Sequence, residues 1–176
     1  MKKIKNILIS QPRPLSDRNP YADMEASYGV QCDFQQLIRV EGVNVREFRD
    51  QHIYLEDYTA VIVSSRLGID HFFRLAEETR VTIPDTMKYF CTTEAIALYL
   101  QKYTIYRKRK IFHGKTGKIE ELLPFLVKHS KEKFLYAISD VSKKDDDAIL
   151  VQNKINYTKA VMYRTVSNDF APDEAF

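Results

Sequence analysis

The pattern of apolar and polar positions is clearest at Ala60-Val61-Ile62-Val63, a continuous run of small and β-branched residues that stops at Ser64-Ser65-Arg66. Such a run is the signature of a strand covered on both faces in a parallel sheet, and it predicts a central one. Beyond it Ile69, Phe72, Phe73 and Leu75-Ala76 recur at helical spacing, with Asp70, Arg74, Glu77 and Glu78 on the other face. A buried strand therefore feeds a helix through two hydroxyls and one cation. Ser64 or Ser65 suits the helix cap. Binding is compatible with capping, because strand ends in open α/β sheets present helix N-termini, and their free N–H groups, to anions.

The rest of the chain repeats this unit. Residues 6–10 read as a strand, closed by Gln11-Pro12-Arg13-Pro14 because proline brings no N–H to a ladder. Pro20 opens a helix that Gly29 ends, and residues 30–40 read as extended chain anchored by Phe34 and Leu37-Ile38. A short helical piece surrounds Val45, Phe48 and Arg49. After Pro84, residues 87–91 form the next strand and lead into Thr92-Thr93-Glu94, where Thr93 caps a helix through Ala95, Leu98, Tyr99 and Lys102. Ile105 and Ile111-Phe112 bound an extended segment, residues 113–117 turn, and residues 119–129 carry Leu122, Leu123, Leu126 and Val127 as one helical stripe. Residues 134–138 are a strand ending at Ser139, residues 143–153 a helix, and residues 157–166 a last strand. Strand, hydroxyl, helix, repeated, predicts an α/β fold with a doubly wound, flavodoxin-like, mainly parallel sheet and right-handed crossovers.

With 44% hydrophobic and 29% charged residues, the composition of this 176-residue chain is that of an ordinary folded protein. The apolar runs are too short to span a bilayer and the N-terminus lacks a signal-peptide core, so a cytoplasmic location is expected. A net charge of +3 is too mild to imply nucleic acid, although Lys102, Arg107, Lys108, Arg109, Lys110 and Lys115 crowd one region around Tyr103 and Tyr106. Cys32 and Cys91 stand far apart, outside any zinc or disulfide spacing, and read as buried small hydrophobes. His52, His71, His113 and His129 are scattered and read as surface histidines, so neither a metal nor a triad is expected. No GxGxxG, P-loop or GxSxG motif is present. What remains is a set of converging strand ends: Ser64-Ser65-Arg66, Thr92-Thr93, Ser139 to Ser142, and Lys143-Lys144. They suit an anionic ligand with several carboxylates, held by many hydrogen bonds.

Several stretches carry a family resemblance. AVIVSSRLGIDHFF looks like a strand followed by T-S-R and a helix, KYFCTTEAIALYL like a second strand with a G-x-x-T-A helix start, and AVMYRTV like a late V-Y-x-T strand. ILISQPRP and QLIRVEGV stand where the same family has its first and second strands. The chain thus resembles uroporphyrinogen-III synthase over essentially its whole length. The resemblance implies two α/β domains facing each other across a cleft, linked by a two-stranded ladder, with residues 35–160 as the complete middle domain. Residues 1–34 would then belong to a second, incomplete domain, and 161–176 to a linker strand and truncated tail. It implies cofactor-free, metal-free closure of hydroxymethylbilane to uroporphyrinogen III, with loss of water and inversion of ring D. The partner is then a small polycarboxylate tetrapyrrole, with neither nucleic acid nor membrane, and this chain alone should be poorly active.

By position, Tyr163 matches the tyrosine near the leaving hydroxyl, a candidate general acid, and Ser64, Ser65 and Arg66 match the cleft-facing T-S-R loop. Thr92, Thr93, Ser139, Lys143 and Lys144 complete the candidate substrate-binding set. The sequence departs from the family at Cys91, where the family has glycine, and at Glu94, where it has threonine; the family's G-P-T-T loop has no counterpart. The alternative is a non-catalytic α/β module that binds an anionic ligand or a protein through residues 102–115. The first strand and the tail also suggest that two chains pair or exchange these elements.

Overall fold

The structure, a computed structural model, describes residues 4–16, 19–141 and 144–168, with only the backbone of residue 144. Contacts divide the chain into two units, one of described residues up to Val40 and from Thr165 onward, the other Glu41–Arg164.

In the first unit, β1 (Asn6–Ile9) pairs in parallel with β2 (Gln31–Phe34), with Ile7 opposite Cys32. Between them runs α1 (Pro20–Tyr28). Asn19 caps it by accepting hydrogen bonds from the amides of Tyr21 (3.0 Å) and Ala22 (3.1 Å). Gly29 ends it in the left-handed conformation expected of a helix C-terminus, φ 59°. The extended chain expected over residues 30–40 is broken in two, because the Gln35-Gln36-Leu37 stretch separates β2 from β3 (Ile38–Gly42).

The second unit holds α2 (Val45–Asp50), β4 (Ala60–Val63), α3 (Arg66–Glu78), β5 (Lys88–Cys91), α4 (Glu94–Tyr99), β6 (Ile111–His113), α5 (Leu123–Lys128), β7 (Phe134–Ser139) and α6 (Lys144–Gln152). The last strand, β8 (Tyr157–Ser167), continues past Arg164 into the first unit, as β3 enters from it. In the six-stranded sheet the order is β3-β8-β7-β4-β5-β6. Strands β8, β7, β4, β5 and β6 are mutually parallel. The edge strand β3 runs antiparallel to β8, as hydrogen bonds from Val43 N to Met162 O and from Asn168 N to Leu37 O show (3.0 Å each). The chain reverses its winding between β4 and β7, so this is the doubly wound α/β class that the sequence predicts.

Period-two alternation sorts the core onto two faces. Val61, Val63, Tyr89, Cys91, Leu135 and Ala137 meet Ile69, Phe72 and Leu75 of α3 and Ile96 of α4. Ala60, Ile62, Phe90, Phe134, Tyr136 and Ile138 meet Leu122, Leu126 and Leu150 on the opposite face. Ala60 to Val63 are fully buried, each of the three larger side chains contributing about 1.5–3 kcal/mol to folding. Both cysteines are buried, and burial pushes the Cys91 thiol up to about 12.

Two sequence expectations need correction. The single helix over residues 119–129 is a 3-10 turn, Ile119–Leu122, followed by α5, because Pro124 has no N–H for a continuous ladder and sits instead in the first turn of a new helix. The segment before β6 is not extended: the amides of Lys110 and Ile111 return to the Arg107 carbonyl in a turn.

Candidate functional site

Because β4 to β8 are parallel, their carboxyl ends and the helix starts that follow them share one edge of the second unit. Ser65 caps α3, its Oγ accepting from the Gly68 amide (2.9 Å), and a Cβ at Gly68 would lie 3.3 Å from that Oγ and so crowd the cap. Thr93 caps α4 in the same way through Ile96 N (3.3 Å).

Tyr163 reaches this edge through an irregularity in the ladder. Ile138 pairs with Val161 but Ser139 pairs with Tyr163, so Met162 is an extra residue on β8. Such a bulge re-aims the side chain that follows it. Tyr163 accordingly packs against the same core cluster as Ala160 and Met162, and its hydroxyl hydrogen-bonds Ser65 Oγ at 2.8 Å. Either hydroxyl can donate in this contact; with Ser65 donating to the phenol oxygen, the phenol proton is free to face outward.

Tyr163 also lines a cavity of about 220 Å³ with Ser64, Ser139, Asp146, Ile138 and Gly117. Asp146 accepts a hydrogen bond from the Tyr136 hydroxyl at 3.0 Å, and burial, with Asp146 next, raises the Tyr136 phenol. Residues 114–117 are folded tightly beside it: Glu121 accepts from the amides of Lys115 (2.6 Å) and Thr116 (2.9 Å), which hold its carboxyl below the usual range. Behind Tyr163, the His71 ring stacks on the phenol with centroids 5.4 Å apart. Its Nδ1 accepts from Arg74 Nε (3.1 Å), and Arg74 Nη2 donates to the Val43 carbonyl (2.6 Å). Burial, and then the Arg74 charge, lowers His71, so the ring is held neutral.

Ser64, Ser139 and Tyr163 therefore meet at one cavity, and Ser65 touches it through Tyr163. Thr92, 3% exposed, is buried beneath the edge, and the Arg66 guanidinium lies over the Tyr99 ring, 5.4 Å from its centroid. Lys143 and the Lys144 side chain lie outside the described residues.

Asp146 and His71 escaped the sequence reading. Asp146 is one of three consecutive aspartates, and only the position of α6 singles it out. His71 is not the surface histidine expected, and neither is His129, which packs on Phe112 (4.7 Å) and sets Nδ1 against the Phe125 carbonyl (2.9 Å). Among the described residues no cluster of three metal-ligating side chains occurs, and no helix is long and apolar enough to cross a membrane. Among the cations of residues 102–115, Lys102 pairs with Asp70 (3.0 Å), Arg107 with Asp85 (3.5 Å), and Lys110 donates to the Asp85 carbonyl.

Comparison with known proteins gives the family and the fold. The sequence matches the family described as uroporphyrinogen-III synthase HemD over residues 22–175. No curated protein matches it in sequence. Among solved structures, it is similar to a mutant uroporphyrinogen III synthase from the extremely thermophilic bacterium Thermus thermophilus (TM-score 0.65, 12% identity), covering 93% of this chain and 64% of that one. It is also similar to uroporphyrinogen-III synthetase from Helicobacter pylori (TM-score 0.56, 17% identity), covering 97% of this chain and 66% of that one. At these identities the likeness is one of fold, and the chain spans just under two thirds of the length of either structure.

Proposed function

The chain belongs to the uroporphyrinogen-III synthase family, and from that premise we propose that it serves the family's reaction in tetrapyrrole and haem biosynthesis, the cofactor-free closure of hydroxymethylbilane to uroporphyrinogen III. The observation that carries this reading is the 2.8 Å contact between Ser65 and Tyr163 at the edge of the strand-end cavity. Loss of the substrate hydroxyl needs a proton as its C–O bond breaks, so that water departs and a cation remains on the pyrrole. The Tyr163 phenol supplies that proton, while Ser65, polarised by the Gly68 amide at the start of α3, donates to the phenol oxygen as negative charge develops there. The proton returns when the last pyrrole regains aromaticity, so the balance is loss of one water.

The cavity of about 220 Å³ suits one pyrrole ring rather than the whole chain of four. Ser64 and Ser139 offer hydroxyls to the carboxylates of that ring, and Asp146 can accept its N–H. His71 touches the phenol ring and not the cavity; it is a positioning residue, tied by Arg74.

Calorimetric titration of the folded chain with uroporphyrinogen III under anaerobic conditions tests the reading. Saturable binding, weakened several-fold by Tyr163→Phe and by Ser139→Ala, is expected from the loss of one hydrogen bond each. A folded protein that binds no tetrapyrrole, or binds it equally well in both variants, would overturn it.

A further inference from the structure

The dehydration proposed for the strand-end cavity separates charge. As the hydroxymethyl C–O bond breaks, its electron pair leaves with the oxygen and the Tyr163 proton joins it to form water. The pyrrole is left as a cation whose charge is shared between the exocyclic carbon and the ring nitrogen. Negative charge thus develops on the phenol oxygen and positive charge on the ring. Ser65, 2.8 Å from Tyr163, meets the first. The second calls for a fixed anion at the cavity, which stabilises a developing cation without having to reorganise.

Among the described residues of the wall, Asp146 is the one carboxylate, and it lines the same cavity as Tyr163, Ser64 and Ser139. A carboxylate repels the carboxylates of a polyanionic substrate and attracts a cation, so its charge suits the ring that loses water better than the side chains around that ring. Asp146 is also fixed in place. Its Oδ2 accepts from the Tyr136 hydroxyl (3.0 Å). Burial, and then the Asp146 charge, hold that phenol well above its ordinary value, with Ser64 acting in the opposite sense, so Tyr136 stays a neutral donor. A carboxylate with one such bond can accept more. Its neighbour Asp147 is paired with Lys159 and accepts from Tyr157 (2.9 Å), whereas no ion pair forms on Asp146 among the described residues.

We infer that Asp146 is the counter-ion of the dehydration step: its carboxylate accepts the ring N–H and stabilises the cation formed as water leaves, while the proton stays on nitrogen. Resting on the reaction proposed above, this role divides the separated charges between two residues, Ser65 for the anion on Tyr163 and Asp146 for the cation on the ring.

Porphobilinogen is the probe, a single pyrrole with an acetate, a propionate and an aminomethyl cation on the carbon that bears the hydroxyl in the substrate. The analogue with hydrogen in place of the aminomethyl group keeps the ring and the carboxylates and lacks the cation. Amide chemical shifts of the full chain should saturate around Ser64, Ser139 and Asp146 with both rings, with a Kd about tenfold lower for porphobilinogen, as a charge-assisted hydrogen bond gives. Asp146→Asn keeps an oxygen for the Tyr136 hydroxyl; it should raise the porphobilinogen Kd about tenfold, to that of the analogue. Binding of the analogue should be no weaker in the variant, which also shows that the variant is folded. Equal affinities in the parent chain, a preference that survives Asp146→Asn, or failure of porphobilinogen to saturate would overturn the inference. Uroporphyrinogen III carries no such cation, so its saturable binding, weakened by Tyr163→Phe, would keep the synthase reading even where the role of Asp146 fell.

Discussion

Removal of the Ser65 hydroxyl tests the geometry of the candidate site most directly, because one oxygen serves two partners there. In Ser65→Ala, α3 loses its N-cap bond to the Gly68 amide and Tyr163 loses the partner 2.8 Å away. An N-cap is worth about 1 kcal/mol and a hydrogen bond to a half-buried phenol about 1 kcal/mol more. The sum, about 2 kcal/mol, corresponds to a fall in Tm of about 4–8 °C for a chain of this length. Tyr163→Phe removes only the second bond and should cost about 1 kcal/mol. In urea titrations followed by circular dichroism, the double variant should then be destabilised by about 1 kcal/mol less than the sum of the single ones, because the shared bond can be lost only once. Strict additivity would show that the two hydroxyls are not bonded, and with that the proton path proposed for Tyr163 would fall.

Further expectations follow from contacts around the same edge. Gly114→Ala would place a Cβ 2.8 Å from the Thr92 carbonyl and 2.6 Å from Glu121 Oε2, and a backbone neighbour cannot yield; thermal melting should show a loss of about 2 kcal/mol. His71 is held below its ordinary value of 6.5, so on acidification the unfolded chain binds the proton first; this contribution to stability is present above pH 6.5 and is lost as pH falls through the lowered value. His71→Gln should therefore flatten the stability profile just below neutrality, and an unchanged slope would contradict the burial argument. Burial alone would raise the Asp70 carboxyl, but bonds from Tyr103, Lys102 and Tyr99 more than offset it and the net shift is downward. Asp70→Asn should cost about 1–3 kcal/mol in denaturant melts, because it weakens bonds to three donors at once.

Much of this arrangement was legible along the chain because the signals are local. The unbroken run at residues 60–63 can be satisfied only by a strand buried on both faces, and the spacing of Ile69, Phe72 and Leu75 only by a helix with one buried stripe. Ser65, Thr93 and Gly29 announce helix ends through chemistry that acts over three or four residues. Pro124 carried an equally local signal, and the amphipathic stripe around it outweighed the missing N–H in the reading of residues 119–129.

The motif resemblance brought Tyr163 and the Ser64-Ser65 loop into one expectation, but their contact is not encoded in either segment. Ser65 and Tyr163 are 98 residues apart, and they meet because β7 lies between β4 and β8 in the sheet and because one extra residue, Met162, re-aims the end of β8. The same long-range geometry turned His71 from an apparent surface residue into the ring behind Tyr163, selected Asp146 from three neighbouring aspartates, and buried Thr92. Periodicity, caps and turns depend on interactions within a few residues, so the sequence by itself determined the elements and the edge of the sheet where hydroxyls gather. Which side chains share a cavity depends on strand order, register and a single bulge, and those were decided only when distant segments packed together.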